Sequence, residues 1–72
     1  MNQEAEDEMQ AAPSPEEIRA ARKALGLTQT AAAVMVYCTC RGWQKWEAGD
    51  CKMHRAIWEL WQIKAKEISK KI

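Results

Sequence analysis

Residues 27–49 read LTQTAAAVMVYCTCRGWQKWEAG. Thr28 and Thr39 are residues of the type that caps a helix, because a side-chain oxygen at that position satisfies a backbone N–H with no partner inside the helix. The spacing predicts a helix of barely two turns from Gln29 through three alanines, Val34, Met35 and Val36. A further helix follows Thr39 and ends at Gly49. In it Trp43 and Trp46 share one face at i, i+3, while Arg41, Gln44 and Lys45 lie elsewhere around the circumference. Alanines on one helix make room for indoles on the next, since interiors pack to a fixed density, and Ala33 is the small residue expected at the crossing.

The flanks extend the pattern in both directions. Ser14-Pro15-Glu16-Glu17 has the form of a capping box with proline at the first helical position, so a helix begins there. Ile18, Ala21, Arg22 and Leu25 recur at helical spacing, and Gly26 fits the left-handed residue that ends a helix. From about Met53 onward, Ile57, Leu60, Trp61, Lys64, Ala65 and Ile68 describe a long amphipathic helix whose last residues are mainly lysine. Proline does not recur after Pro15, and no stretch alternates as a strand would. The class expected is all-α, a compact domain of four helices, or five at most.

Seventy-two residues allow one domain. A chain this short buries only about 60% of its unfolded surface, which makes pairing with a second copy plausible from size alone. The net charge of +1 conceals a division. Residues 1–17 carry six acids and no base, whereas residues 18–72 carry eleven bases against Glu47, Asp50, Glu59 and Glu67. The expected organisation is a disordered acidic arm over residues 1–12 and a basic domain over residues 13–72. The basic body suggests a polyanionic partner. No apolar run approaches the roughly 20 residues of a membrane span, and the amino terminus is acidic where a signal peptide would be basic, so the expected location is cytoplasmic.

Two short helices joined by a tight turn follow the plan of a helix-turn-helix, whose first helix braces the second against the DNA major groove. Here the sequence resembles the Xre/lambda-repressor-like helix-turn-helix proteins, with their pattern G-L-[ST]-Q-x-x-x-A-x-x-h-G-h-[ST]-x-x-x-h-x-x-[WL]-E-x-G, where h is apolar. Gly26-Leu27-Thr28-Gln29, Ala33, Val36, Cys38, Thr39, Trp43, Trp46-Glu47 and Gly49 match without a gap, and the resemblance covers residues 15–64. Three positions depart from it. Tyr37 stands where the family has glycine, and a bulky residue with positive φ is strained. Gly42 lies inside the second helix of the motif, where it costs about 1 kcal/mol relative to alanine. Met53 replaces a common proline.

The resemblance implies a sequence-specific regulator of transcription, most simply a dimeric repressor of its own promoter or operon. Short family members of this kind are phage Cro-type proteins, antitoxins or anti-CRISPR-associated regulators. It implies that Cys40, Arg41, Gln44 and Lys45 face base edges, with Arg41 suited to guanine and Gln44 to adenine. Gln29, Thr28 and Thr39 would lie at phosphates, as helix N-termini favour anions. The partner would be an inverted-repeat duplex, with no membrane and no small-molecule substrate. Glu47 and Asp50 share the sign of DNA, which suggests pairing or capping roles.

Trp58, beside Ile57 and three residues from Trp61, makes the last apolar face too wide for a domain of this size. The expected dimer interface is therefore Ile57, Trp58 and Trp61. The alternative function is a protein-interaction module using the same Trp58/Trp61 face. Trp43 and Trp46 are read as core rather than as stacking platforms for single strands. Cys38-x-Cys40 with Cys51-x-x-His54 supplies four residues of zinc-ligand type. However, C-x-C is less usual than C-x₂-C, and the resemblance puts Cys38 at a core position and Cys40 toward DNA, so no metal is expected. No cofactor is expected either. One histidine and no glycine-rich phosphate loop leave little from which to build an active site, and the expectation is a protein that is not an enzyme.

Overall fold

The hydroxyl of Ser14 begins the fold in the computed structural model, which describes residues 12–71. It accepts the N–H of Glu17 at 3.1 Å, and the Glu17 carboxylate accepts the N–H of Ser14 at 2.8 Å, closing the expected capping box. Helix α1, Pro15–Ala24, follows. It stops at Gly26, whose φ of 69° lets the N–H of Leu27 turn back to the carbonyl of Arg22. Helix α2, Gln29–Val34, is capped by Thr28 through the N–H of Ala31, and helix α3, Cys40–Ala48, by Thr39 through the N–H of Gly42. Helix α4 is Arg55–Lys71. The described residues hold these four helices and no strand, so the chain is an all-α domain. The acidic arm expected over residues 1–12 lies, apart from Ala12, outside the described residues.

Two boundaries differ from expectation. Helix α2 stops at Val34, short of Met35 and Val36, because the backbone leaves the helix in a turn closed by Tyr37. Tyr37 takes φ 62°, the left-handed conformation normally left to glycine, so the strain anticipated from its bulk is present. The N–H groups of Tyr37 and Cys38 bond the carbonyls of Val34 and Ala33, both at 3.0 Å, the pairing that ends a helix on a left-handed residue. Helix α4 begins at Arg55 rather than Met53. His54 is its cap: the imidazole Nδ1 accepts the N–H of Ala56 at 3.0 Å. Met53, in the place of the family's proline, is instead a core residue, 1% exposed.

The core joins all four helices. Ile18 from α1, Ala32 and Ala33 from α2, Trp43 from α3 and Trp61 from α4 are buried with Val36 and Met53. The small-against-large pairing of α2 and α3 is thus realised, with both alanines and Trp43 fully enclosed. Trp61 fixes the last helix by donating its indole N–H to the carbonyl of Ala32 at 3.2 Å. Four indoles run in sequence through this packing. Trp46 meets Trp43 edge-on at 5.6 Å, Trp43 meets Trp61 at 5.7 Å, and Trp58 stacks on Trp61 at 5.7 Å with the rings 6° from parallel. Such pairs add to the area they bury. No helix among the described residues is long and apolar enough to cross a membrane.

Candidate nucleic-acid interface

Helix α3 turns Trp43 inward and leaves Arg41, Gln44 and Lys45 exposed on its other side. Together with Ala48 and Asp50 these three line an open depression of about 360 Å³. Cys40, also expected at base edges, is only half-exposed at the first turn of the helix. Beside this face, Arg19, Arg22 and Lys23 of α1 join Gln29 and Gln44 around a second open cleft of about 510 Å³ with Glu47 at its floor. The exposed ends of Arg19 and Lys23 make this surface basic. Neither residue was singled out from the sequence. Only the packing of α1 against α3 brings them beside Gln44.

Glu47 holds these elements together. It is 4% exposed, and a buried carboxylate needs partners. Arg22 supplies two in a fork, Nε to Oε2 at 2.6 Å and Nη2 to Oε1 at 3.1 Å, while its Nη1 donates to the carbonyl of Leu27. The Trp43 indole N–H donates to Oε2 and the Gln29 amide to Oε1, the latter at 3.1 Å. Arg19 reaches the Glu47 carbonyl oxygen. One side chain of α3 therefore ties α1, the start of α2 and its own helix, which fits the structural role expected of Glu47. Burial alone would raise the Glu47 pKa, but the bonds from Arg22, Trp43 and Gln29, with the Arg22 charge, outweigh it and hold the carboxyl below its ordinary value. The same bond raises Arg22 above its ordinary value.

The residues expected at phosphates occupy the N-terminal ends of α2 and α3. Thr28 and Thr39 are exposed, and their hydroxyl oxygens are engaged as caps. Gln29 is half-buried and committed on both sides: its Nε2 donates to Glu47, and its Oε1 accepts from Gln44 Nε2 at 3.4 Å. This inward anchoring was missed. The available signal was a glutamine 18 residues ahead of a glutamate that shares a helix with two tryptophans.

The proposed interface on the last helix needs correction. Trp61 is 2% exposed and belongs to its own chain's core, so it is not a surface for a second copy or for any other protein. Ile57 and Trp58 are half-buried, packed against that core. The face that looked too wide is narrowed because Trp58 lies flat on Trp61 and the helix turns both inward. Among the described residues the large apolar side chains left exposed are Val34, Tyr37, Leu60 and Ile63, at 62%, 82%, 36% and 57%. Leu60, expected on the inward face, thus lies at its edge. Lys64 bridges the same region, donating to the carbonyl of Met35 at 2.7 Å and to the Tyr37 hydroxyl at 3.0 Å. That bond, then the lysine charge, holds the Tyr37 phenol below its ordinary pKa.

Among the described residues, no three histidine, cysteine or acidic side chains come together as metal ligands. Cys38 is half-buried with its thiol toward the Val36 carbonyl, and Cys51 is exposed.

Comparison with known proteins adds one relative. No family model matches the chain. Over 53 residues, 74% of its length, it is 36% identical to the type II methyltransferase M.MspI of Moraxella sp. The chain spans 13% of the length of that protein.

Proposed function

We propose that the chain is a sequence-specific double-stranded DNA-binding domain, a repressor that reads its operator with α3. The observation that carries this reading is the division of α3 into two faces: Trp43 and Glu47 are locked inward, while Arg41, Gln44 and Lys45 stand exposed. A helix braced in this way by a second short helix is suited to a major groove about 12 Å wide. The basic cleft formed by Arg19 and Lys23 would follow the adjoining phosphate backbone, so those two residues join Thr28 and Thr39 as positioning contacts. The protein acts as a homodimer on an inverted repeat, most simply at its own promoter in a phage or mobile element. Its pairing face is drawn from Val34, Tyr37, Leu60 and Ile63 rather than from Trp61. In this reading the chain is not itself an enzyme. Its likeness to a methyltransferase covers a short part of that protein, and we take the shared stretch to be a binding domain that can accompany catalysis elsewhere in a longer chain.

The test is a gel-shift with the DNA upstream of the gene, alongside a scrambled duplex. The expected outcome is preferential binding that weakens steeply with salt, since each neutralised phosphate releases counterions. Arg41→Ala should lose cognate affinity and relax preference at one base pair per half-site, a loss of about 1–3 kcal/mol of discrimination. Equal, salt-insensitive binding of both duplexes would sink the proposal.

A further inference from the structure

We infer that the acidic residues Glu4, Glu6, Asp7 and Glu8 dock on the basic surface of α1 and α3, where they take the place of phosphates and hold DNA affinity down. The inference rests on the DNA-binding reading above and adds an intramolecular competitor to that surface. Its starting point is an imbalance of charge. Among the described residues, two carboxylates line the cleft and the depression beside it, Glu47 and Asp50. Glu47 is buried and spent on Arg22, Trp43 and Gln29. That leaves Asp50 against Lys23, Arg41 and Lys45, which are exposed and in no ion pair among the described residues. Arg19 adds to the excess, since its side chain stays 46% exposed beside Glu47. Residues 1–12 carry the opposite excess, four acids and no basic side chain.

The point where the chain enters the fold brings these acids to that surface. Pro13 is buried, and with Ala12 it lines a pocket against Trp46, Gly49 and Cys51 at the end of α3. Ala48, next to Gly49, lines the basic cleft, so entry point and cleft share an edge. An extended chain spans at most about 3.3–3.6 Å per residue, which lets Glu8 lie up to about 14 Å from Ala12 and Glu4 up to about 29 Å. From Ser14 to Lys23 the rise along α1 is about 14 Å, and from Ala48 back to Arg41 along α3 it is about 10 Å. The cations are within that reach. Exposed ion pairs are individually weak, but a tethered partner acts at an effective concentration of about 1 mM. Against a local Kd of about 10⁻⁴ M, that of a contact made to phosphates alone, the surface is covered about nine-tenths of the time. Affinity for every duplex then falls about tenfold, without a change of sequence preference. Because salt also loosens the docked acids, DNA binding becomes less steeply dependent on salt.

The experiment compares the full chain with a neutral-arm variant, Glu4→Gln, Glu6→Gln, Asp7→Asn and Glu8→Gln together, each with and without Lys23→Gln. Melting temperatures first confirm that all four proteins fold. Backbone amide NMR without DNA is recorded at ionic strengths of about 0.01 M and about 1 M, where charges are felt over about 30 Å and about 3 Å. Expected at low salt are shifts between wild type and the neutral arm at Arg19, Lys23, Arg41 and Lys45, which vanish at high salt. In gel-shifts at about 0.05 M salt the neutral arm should tighten cognate and random duplexes alike, by on the order of 10-fold, and steepen the salt dependence. With Lys23→Gln the gain should shrink. If the two NMR spectra coincide outside residues 1–12, or if the gain is undiminished by Lys23→Gln, the acids act only through net charge at a distance and the inference is wrong. NMR shifts without any gain in affinity overturn the competition. Preference for the cognate duplex in both proteins would leave the functional reading standing in each of these cases, whereas no binding to any duplex ends that reading and the inference with it.

Discussion

Gly42, three residues into α3, is a poor helix former in the helix assigned to the groove. Nothing inside the protein requires it: Gly42 has ordinary helical backbone, and a Cβ there would lie 3.4 Å from the Thr39 hydroxyl oxygen, an ordinary contact. Gly42→Ala should therefore stabilise the fold by about 0.5–1 kcal/mol, a rise of several degrees in Tm for a domain of this size. If the missing side chain admits a phosphate or base edge, the same substitution should weaken operator binding. A fall in Tm would show that the Thr39 cap is disturbed, and unchanged affinity would leave Gly42 without a role in binding. Tyr37 is the opposite case. Its left-handed backbone strains the turn, yet Lys64 lies 4.2 Å from the centre of its ring while bonding its hydroxyl, so contacts from a distant helix hold a local conformation that tyrosine disfavours.

At the scale of elements, the position of α3 depends on Glu47. Glu47→Ala would leave the Arg22 guanidinium, whose side chain is 13% exposed, without its carboxylate. Breaking a buried pair from one side costs about 3–5 kcal/mol, a large part of the stability of so small a domain. The variant should be substantially unfolded by circular dichroism at room temperature; a melting temperature near that of wild type would contradict the tie. The pH dependence has a definite sign. Glu47 holds its proton more weakly folded than unfolded, so its contribution is complete above its ordinary value of 4.5 and is lost as pH falls through the depressed folded value. Thermal melts should show stability falling progressively as the pH is taken below that ordinary value. The helices themselves were legible in the sequence because caps, terminal glycines and i, i+3 indoles act over a few residues: Ser14, Thr28, Thr39, Gly26 and Gly49 stand where such signals predict. The tie was not, since a glutamate is rarely buried unless paired, and its main partner Arg22 lies 25 residues away. That Trp61 is enclosed within its own chain was not legible for a similar reason. It shares a helix face with Trp58, and its enclosure depends on partners on other helices, the Ala32 carbonyl and the Trp43 ring.

The whole molecule is the scale at which pairing belongs. Small domains often add area by association, and among the described residues four large apolar side chains remain uncovered on one copy. Sedimentation of wild type and Ile63→Asp should give a dimer and a folded monomer, the monomer melting lower only by what association contributes, because Ile63 lies outside the core. A wild-type monomer at tens of micromolar would refute the dimer, and a dimeric variant would move the interface away from Ile63. The row of indoles has a consequence for observing such events by light. Rings 5.6–5.7 Å apart exchange excitation and couple their transitions, so the four tryptophans should emit as one system with strong near-ultraviolet dichroism rather than as four independent chromophores. The row begins at half-exposed Trp46 on the helix assigned to the groove and ends at half-exposed Trp58 on the last helix. Quenching at either end would therefore drain emission from all four, and the protein carries, without a dye, one optical reporter with two separate inputs.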